Sequence, residues 1–398
     1  MNIREILRRV ITPPATIPAP EPAGSSGGTD AQELCPSGGY LREDEEHVAR
    51  LMVGRQQADP AVFTDAFGMK VDPSYCSWVK AGEVETKSPF PSSYFCDGIE
   101  FTALALALLK YSAGQPNFTV VELGAGWGPW ITMAALCAKR LGFENISLVA
   151  FEADPHRYET LRRHLALNGI TEDQYHLSLL CAAAWWRTET LYWPRGVEYD
   201  AGRMAVSGER PTHDYRGIES TFDQVPGLSI SEALNDYPHI DFLHIDVQGS
   251  EWELVKNSVE FLSSRVRTMF IGTHSRKIEG DLIELLRNSG WVLLRERPCA
   301  FYSMSPSPTL TGQTFRDGGQ VWGNLRSTTQ NQIAATAHRP ESELRGSRAR
   351  EPDRVLEDGD VANVEDSDAL VVCRAIKALH GGVVTPDYGC CVSAITGF

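Results

Sequence analysis

Apolar residues in this chain fall into short continuous runs that alternate with stretches where they recur every three or four positions. The runs at about 118–123, 147–152, 176–184, 240–246, 266–273 and 291–295 predict β-strands, nearly unbroken in hydrophobicity as strands buried on both faces are. Helical spacing predicts helices at about 129–141, 155–168, 250–260 and 279–289, and a further one from Ile99 to Tyr111 ahead of the first strand. Regular alternation of this kind implies an α/β fold, a mainly parallel sheet covered by helices on both faces. The segment from Trp185 to Pro238 is too long for an ordinary connection and is expected to form a lid.

The first strand runs into Val120-Val121-Glu122-Leu123-Gly124-Ala125-Gly126-Trp127-Gly128, an apolar run ending in an acid and then a glycine-rich turn before a helix. Glycines let the backbone approach a ligand closely, and the helix that follows aims its free amides at the same place. Gly124, Gly126 and Gly128 with Glu122 are therefore candidate cofactor-binding residues. In the dinucleotide fingerprint a third glycine stands five positions after the first, and here that position is Pro129, which speaks against NAD. The second strand ends at Glu152, where an acid accepts hydrogen bonds from ribose hydroxyls.

Phe151-Glu152-Ala153-Asp154-Pro155, Leu165-Ala166-Leu167-Asn168, the stretch Ile240-Asp241-Phe242-Leu243-His244-Ile245-Asp246-Val247-Gln248-Gly249-Ser250-Glu251, the segment from Gly272 to Gly280 and the segment from Asp317 to Asn324 together resemble the FkbM family of S-adenosylmethionine (SAM)-dependent O-methyltransferases. The matching segments lie in order along residues 95 to 325. The resemblance implies a Rossmann-like SAM-methyltransferase fold whose seventh strand, antiparallel, lies near Gln320 to Asn324. It also implies S-adenosyl-L-methionine as cofactor and a hydroxyl of a small-molecule, polyketide-like or sugar (glycan) acceptor as substrate. A catalytically idle SAM-fold binding module and an N-methyltransferase are the alternatives. The chain departs from the family in carrying His244 where many members have Lys, and no acid follows its third strand.

Composition narrows the partners. With Lys+Arg 37 against Asp+Glu 52 the net charge is −15, which opposes nucleic-acid binding. Nine cysteines without metal-ligand spacing suggest neither a disulfide framework nor structural zinc. Residues Met1 to Pro20 lack a signal-peptide pattern, and no apolar run reaches the length of a membrane span, so a cytoplasmic location is expected. Nothing in the pattern specifies an oligomeric state. The expected division is an N-terminal tail or linker over 1–60, with a short helix from Ile3 to Val10, an irregular and helical lead-in over 61–115, the SAM-dependent methyltransferase domain over 116–325, and a polar, disordered C-terminal tail over 326–398. That tail is acidic from Glu351 to Asp368 and apolar from Ala369 to Phe398.

Ligands of open α/β sheets bind at the carboxyl ends of the strands, so Glu122, Glu152, Asp246 and His274 should converge there. A sulfonium methyl is already electrophilic; the protein must place the acceptor, exclude water and remove the hydroxyl proton. His274, with an ordinary pKa of about 6.5, is the expected base, and Asp246 is the other catalytic candidate and a holder of the SAM ammonium group. No metal is required, although His244, Asp246 and Glu251 have the spacing of a His/carboxylate site. His244 otherwise reads as a core histidine, and His274 as a cap for the helix from Glu279. Arg276 is placed to meet an anionic group, Asp97 and Glu100 to reach the cofactor mouth, and Trp185, Trp186, Tyr192 and Trp193 to stack on sugar rings or to pack on the sheet.

Overall fold

In the computed structural model of the chain, residues 34–35, 38–196, 202–302 and 305–324 are described. The expected helix Ile3 to Val10, most of the Pro/Gly-rich linker and the whole C-terminal tail, acidic and apolar parts alike, lie outside the described residues. Helix α1 (Arg42–Ala49) and helix α2 (Gly98–Leu106) precede the sheet. The sheet then builds as β1 (Asn117–Leu123), α3 (Pro129–Arg140), β2 (Asn145–Phe151), α4 (Pro155–Leu167) and β3 (His176–Leu180). Its second half is β4 (Ile240–Ile245), α5 (Glu251–Arg265), β5 (Val266–Thr273), α6 (Arg276–Asn288), β6 (Trp291–Arg297) and β7 (Gly318–Asn324).

The seven strands lie in the order β6-β7-β5-β4-β1-β2-β3. All the pairings from β5 through β3 are parallel, and β7 runs antiparallel to both β5 and β6. This is the Rossmann-like methyltransferase arrangement. Alternating side chains explain the two-sided burial: Phe118 and Val120 of β1 enter the core on one face, Val121 and Leu123 the core on the other. The direction of winding reverses between β1 and β4, and that reversal opens the crevice in which such sheets bind ligands.

Four expectations need correction. Residues 40–60 are not tail: the buried Asp44 of α1 accepts from Arg295 of β6 at 2.6 and 2.8 Å, tying this segment to the sheet's edge. The apolar run 176–184 is not one strand. A tight turn, with Ala182 N–H donating to the Leu180 carbonyl, sends Ala183–Trp185 into a separate three-stranded sheet with Phe222–Ser229 and Glu189–Pro194. Much of the expected lid is this small sheet, with a buried core that includes Trp185, Leu191 and Val225. Helix α6 begins at Arg276 rather than Glu279 because Ser275, not His274, caps it, its hydroxyl accepting from the Ile278 amide at 3.2 Å. No helix among the described residues is long and apolar enough to cross a membrane.

Candidate active site

The turn after β1 is built by its glycines. Gly124, Gly126 and Gly128 have φ of +84°, +59° and +78°, a region that favours glycine. A side chain on Gly124 would stand 1.9 Å from the Asp246 carbonyl oxygen, so this residue lets β1 and β4 close together. At Gly126 an added carbon meets nothing nearer than Arg157 Nη1 at 4.0 Å. The space before Gly126 is part of a cavity of about 460 Å³ at the C-terminal edge of the sheet, within the usual range for a small-molecule site. Gly128 does not line that cavity, contrary to expectation. An added carbon there would meet Leu161 Cδ1 at 2.2 Å, so Gly128 serves the packing of α3 on α4.

Glu152 closes the cradle. Its Oε2 accepts from the Gly126 amide at 2.7 Å and its Oε1 from the Asp154 amide at 2.7 Å. Burial lifts its carboxyl to about 7 against those two amides. Glu122 also lines the cavity, but its Oε2 accepts from the Ile131 amide at 2.9 Å, which makes it an anchor for the N-terminus of α3; burial raises it well above the usual carboxylate range. Beyond Glu152 the wall is Ala182 to Trp185, Trp193 and Arg203, whose guanidinium pairs with Asp154 at 2.6 Å. No carboxylate follows β3 here. Trp185 and Trp193, from the small three-stranded sheet, line the cavity. Trp186 stacks on Trp185 at 4.1 Å.

The other end of the cavity carries the polar chemistry. Glu251, fully buried, accepts from the Gly249 amide at 2.9 Å and the Val247 amide at 3.2 Å, and its Oε1 lies 2.9 Å from His274 Nδ1. The ring is 3% exposed, and its Nε2 points past Asp246 Oδ1 at 3.4 Å toward Asp317 Oδ2 at 3.8 Å without a hydrogen-bond partner. Asp246 Oδ1 also accepts from Gln248 Nε2 at 2.7 Å, with Gln248 at φ +56° to reach back over the loop. Asp246 itself lines the cavity.

Burial by itself would lower the His274 ring, but Glu251 first, then Asp246 and Asp317, outweigh it and raise the ring to about 10. The three carboxylates thus favour the protonated ring, a bias against the expected neutral imidazole acting as free base near pH 7. Asp246 is lifted by burial to about 6, with His274 pulling the other way.

His244 joins neither Asp246 nor Glu251. It is sandwiched between Trp130 (5.3 Å between centroids) and Phe270 (5.0 Å), with Nε2 3.2 Å from Glu100 Oε2 and Nδ1 without a partner. Burial lowers it to about 4 and lifts Glu100 to about 8, so a neutral pair is favoured. His244, Asp246 and Glu251, which have the spacing of a His/carboxylate site, do not assemble; the potential ligands that do come together are Asp246, Glu251 and His274. Asp97 and Glu100 both line the cavity, Asp97 pairing with Arg297. Arg276 lies outside it and reaches Glu279 at 3.8 Å. Sequence reasoning missed Asp317 as a neighbour of His274, since its loop comes from 43 residues further along the chain.

Residues 100–291 match the family model of the methyltransferase FkbM domain. A protein of Jannaschia sp. (strain CCS1) named "Putative methyltransferase" is 28% identical over 287 residues, 68% of this chain and 94% of that protein. Among solved structures, methyltransferase FkbM from Methylobacillus flagellatus KT aligns with 13% identity over 70% of this chain and 58% of that one, at a TM-score of 0.32. Precorrin-6y C5,15-methyltransferase from Geobacter metallireducens GS-15 aligns with 11% identity over 57% and 88%, also at 0.32.

Proposed function

We propose that this chain, which carries a methyltransferase FkbM domain over residues 100–291, moves a methyl group from S-adenosyl-L-methionine to a hydroxyl oxygen of a small-molecule or glycan acceptor. One observation carries the reading: a single cavity joins the Gly126–Glu152 cradle to the open oxygen of Asp246, across the point where the sheet reverses. The cradle fits the cofactor. Gly126 leaves its ligand side bare, Glu152 is fixed by two amides with lone pairs to spare for ribose hydroxyls, and the aromatic and alanine wall after β3 suits a flat base.

When bound, SAM supplies an electrophilic methyl group. Everything else falls to the protein. Phe95, Trp130 and Phe270 give the acceptor half of the cavity apolar walls that exclude water. Asp246 faces the acceptor hydroxyl while Gln248 Nε2 donates to Oδ1 and fixes the carboxylate's direction, with His274 Nε2 3.4 Å from the same oxygen. With SAM bound, the proton displaced from the acceptor oxygen as it takes up the methyl group would pass to Asp246, which lines the cavity. The positive ring of His274, oriented by Glu251, offsets negative charge developing on the oxygen. The net charge of −15 favours a small acceptor over nucleic acid.

Two measurements check this reading. With methyl-labelled SAM and a panel of hydroxyl- and amine-bearing acceptors, NMR of the product is expected to show a methoxy carbon. A label found only on nitrogen would overturn oxygen transfer. Glu152→Ala is expected to cost about 1.5–3 kcal/mol of SAM affinity, the worth of hydrogen bonds to a charged group, with the melting temperature of the free protein little changed. Unaltered affinity in calorimetry would remove Glu152 from the cofactor site.

A further inference from the structure

We infer that Glu100 binds a second oxygen of the acceptor, distinct from the one methylated, by donating a hydrogen bond to it, and that His244 positions Glu100 for this. That the bound molecule is a methyl acceptor rests on the methyl-transfer reading. What points to the role is a polar pair in apolar surroundings with no part in the transfer itself. Glu100 of α2 and His244 of β4 both line the cavity, among Phe95, Trp130 and Phe270. The imidazole lies nearly parallel to Trp130 and Phe270, at 25° and 20° between planes, so its orientation is fixed. Its Nε2 is 3.2 Å from Glu100 Oε2, and the Glu100 side chain keeps 16% of its surface exposed. A helix cap does not account for the pair: Glu100 closes the capping box of α2 through a long 3.4 Å contact from the Asp97 amide to Oε1, and that needs no imidazole behind it. Titratable groups perturbed by burial in a cleft are the usual mark of a working site.

The protons can be placed. His244 Nδ1 is buried without a partner, and buried N–H groups without partners are rare, so the ring proton belongs on Nε2, donated to Glu100 Oε2. Burial and Asp97 lift the Glu100 carboxyl to about 8 against the pull of Arg297, which favours the protonated form near neutral pH. With Oε2 accepting from the ring, that proton is carried by Oε1. A neutral carboxyl donates to a lone pair, so it selects a carbonyl, ether or hydroxyl oxygen over an ammonium group, which has none to offer. The other titratable or charged groups around Glu100 are Asp97 and Cys96 from its own segment, Asp246 after β4, Arg297 of β6 and Asp317 before β7. Asp246 at about 6 and Cys96 well above its ordinary range titrate away from Glu100.

The test uses full-length protein with S-adenosylhomocysteine present. Cyclohexanol, 2-hydroxycyclohexanone and 4-hydroxycyclohexanone are the probes, their affinities measured by ligand-observed NMR as pH is raised through about 8. Near neutral pH at least one hydroxyketone is expected to bind about tenfold tighter than cyclohexanol, the worth of one hydrogen bond. That preference should fade as Glu100 ionises, because a carboxylate cannot donate to a carbonyl. Glu100→Gln should keep the preference, its side-chain oxygen accepting from His244 and its amide donating to the probe, and should lose the pH dependence. Glu100→Ala should abolish the preference with SAM affinity unchanged. His244→Phe, which keeps the ring stack, should weaken the preference about threefold or more while SAM affinity stays the same.

Equal binding of the three probes, binding of none, or a preference that survives Glu100→Ala overturns the assignment. A fall in SAM affinity in Glu100→Ala also overturns it, since Glu100 would then serve the cofactor. Where Glu100→Ala fails to fold, the pH profile of Glu100→Gln decides: a limb that remains in that variant belongs to another group and overturns the role. SAM binding without the hydroxyketone preference removes Glu100 and spares the methyl-transfer reading; the preference without SAM binding supports Glu100 and removes that reading.

Discussion

Asp246→Asn is expected to lower turnover by about 10²–10⁴-fold, the usual cost of losing a positioned proton acceptor. Asparagine keeps the size and much of the hydrogen bonding of the aspartate, so the loop through Gln248 and Gly249 can keep its course. What the amide lacks is a group able to take the hydroxyl proton, and a negative charge facing His274. SAM affinity should fall as well, since Asp246 ends the strand beside Gly124 and lines the same cavity. His274→Ala should lower turnover within the same range while leaving SAM affinity nearly unchanged, because the ring's contacts are with Glu251, Asp246 and Asp317 and not with the Gly126–Glu152 cradle. Single-turnover rates separate these effects from binding. Full activity in the Asp246 variant would remove it as the proton acceptor, and full activity in the His274 variant would show that its charge does not contribute.

Gly126→Val should reduce SAM affinity by at least about 100-fold, equivalent to roughly 2.7 kcal/mol. At φ +59° an L side chain is disfavoured by about 1–2 kcal/mol, and a β-branched one by more, a cost to stability that free and bound protein share. The added carbons also enter the space that a ligand needs, because the existing protein leaves that direction open. The same openness means the folded protein is not itself obstructed. Gly124→Ala makes the contrast: its methyl group would collide with the Asp246 backbone oxygen, so this variant is expected to lose stability first and binding as a result. Thermal melts with and without SAM distinguish the two. A folded Gly126→Val variant that still binds SAM with native affinity would place the cradle elsewhere.

Some of this site was legible in the chain because its chemistry is local. The glycine turn, the acid at the end of β2 and the Asp246-to-Glu251 loop each occupy a few consecutive residues, and a strand-turn-helix unit places such residues at the sheet's C-terminal edge whatever surrounds it. The misplaced features involve partners distant in sequence. The run 176–184 is uniformly apolar, yet one backbone turn at Ala182 divides it between two sheets. Residues 40–60 looked like tail because their composition is polar, and only docking Asp44 onto Arg295, 251 positions away, gives the segment a place.

Alternation of apolar runs and helical spacing was thus enough to determine the parallel α/β sheet, its sites at the strand ends and the glycine cradle, since burial on two faces and backbone sterics act within single elements. The state of His274 was decided only by tertiary structure. Its ordinary titration near neutrality belongs to an isolated ring, whereas the folded protein surrounds it with Glu251 from one helix, Asp246 from a neighbouring strand end and Asp317 from the loop before β7, and their negative charge raises its affinity for a proton against the opposing effect of burial.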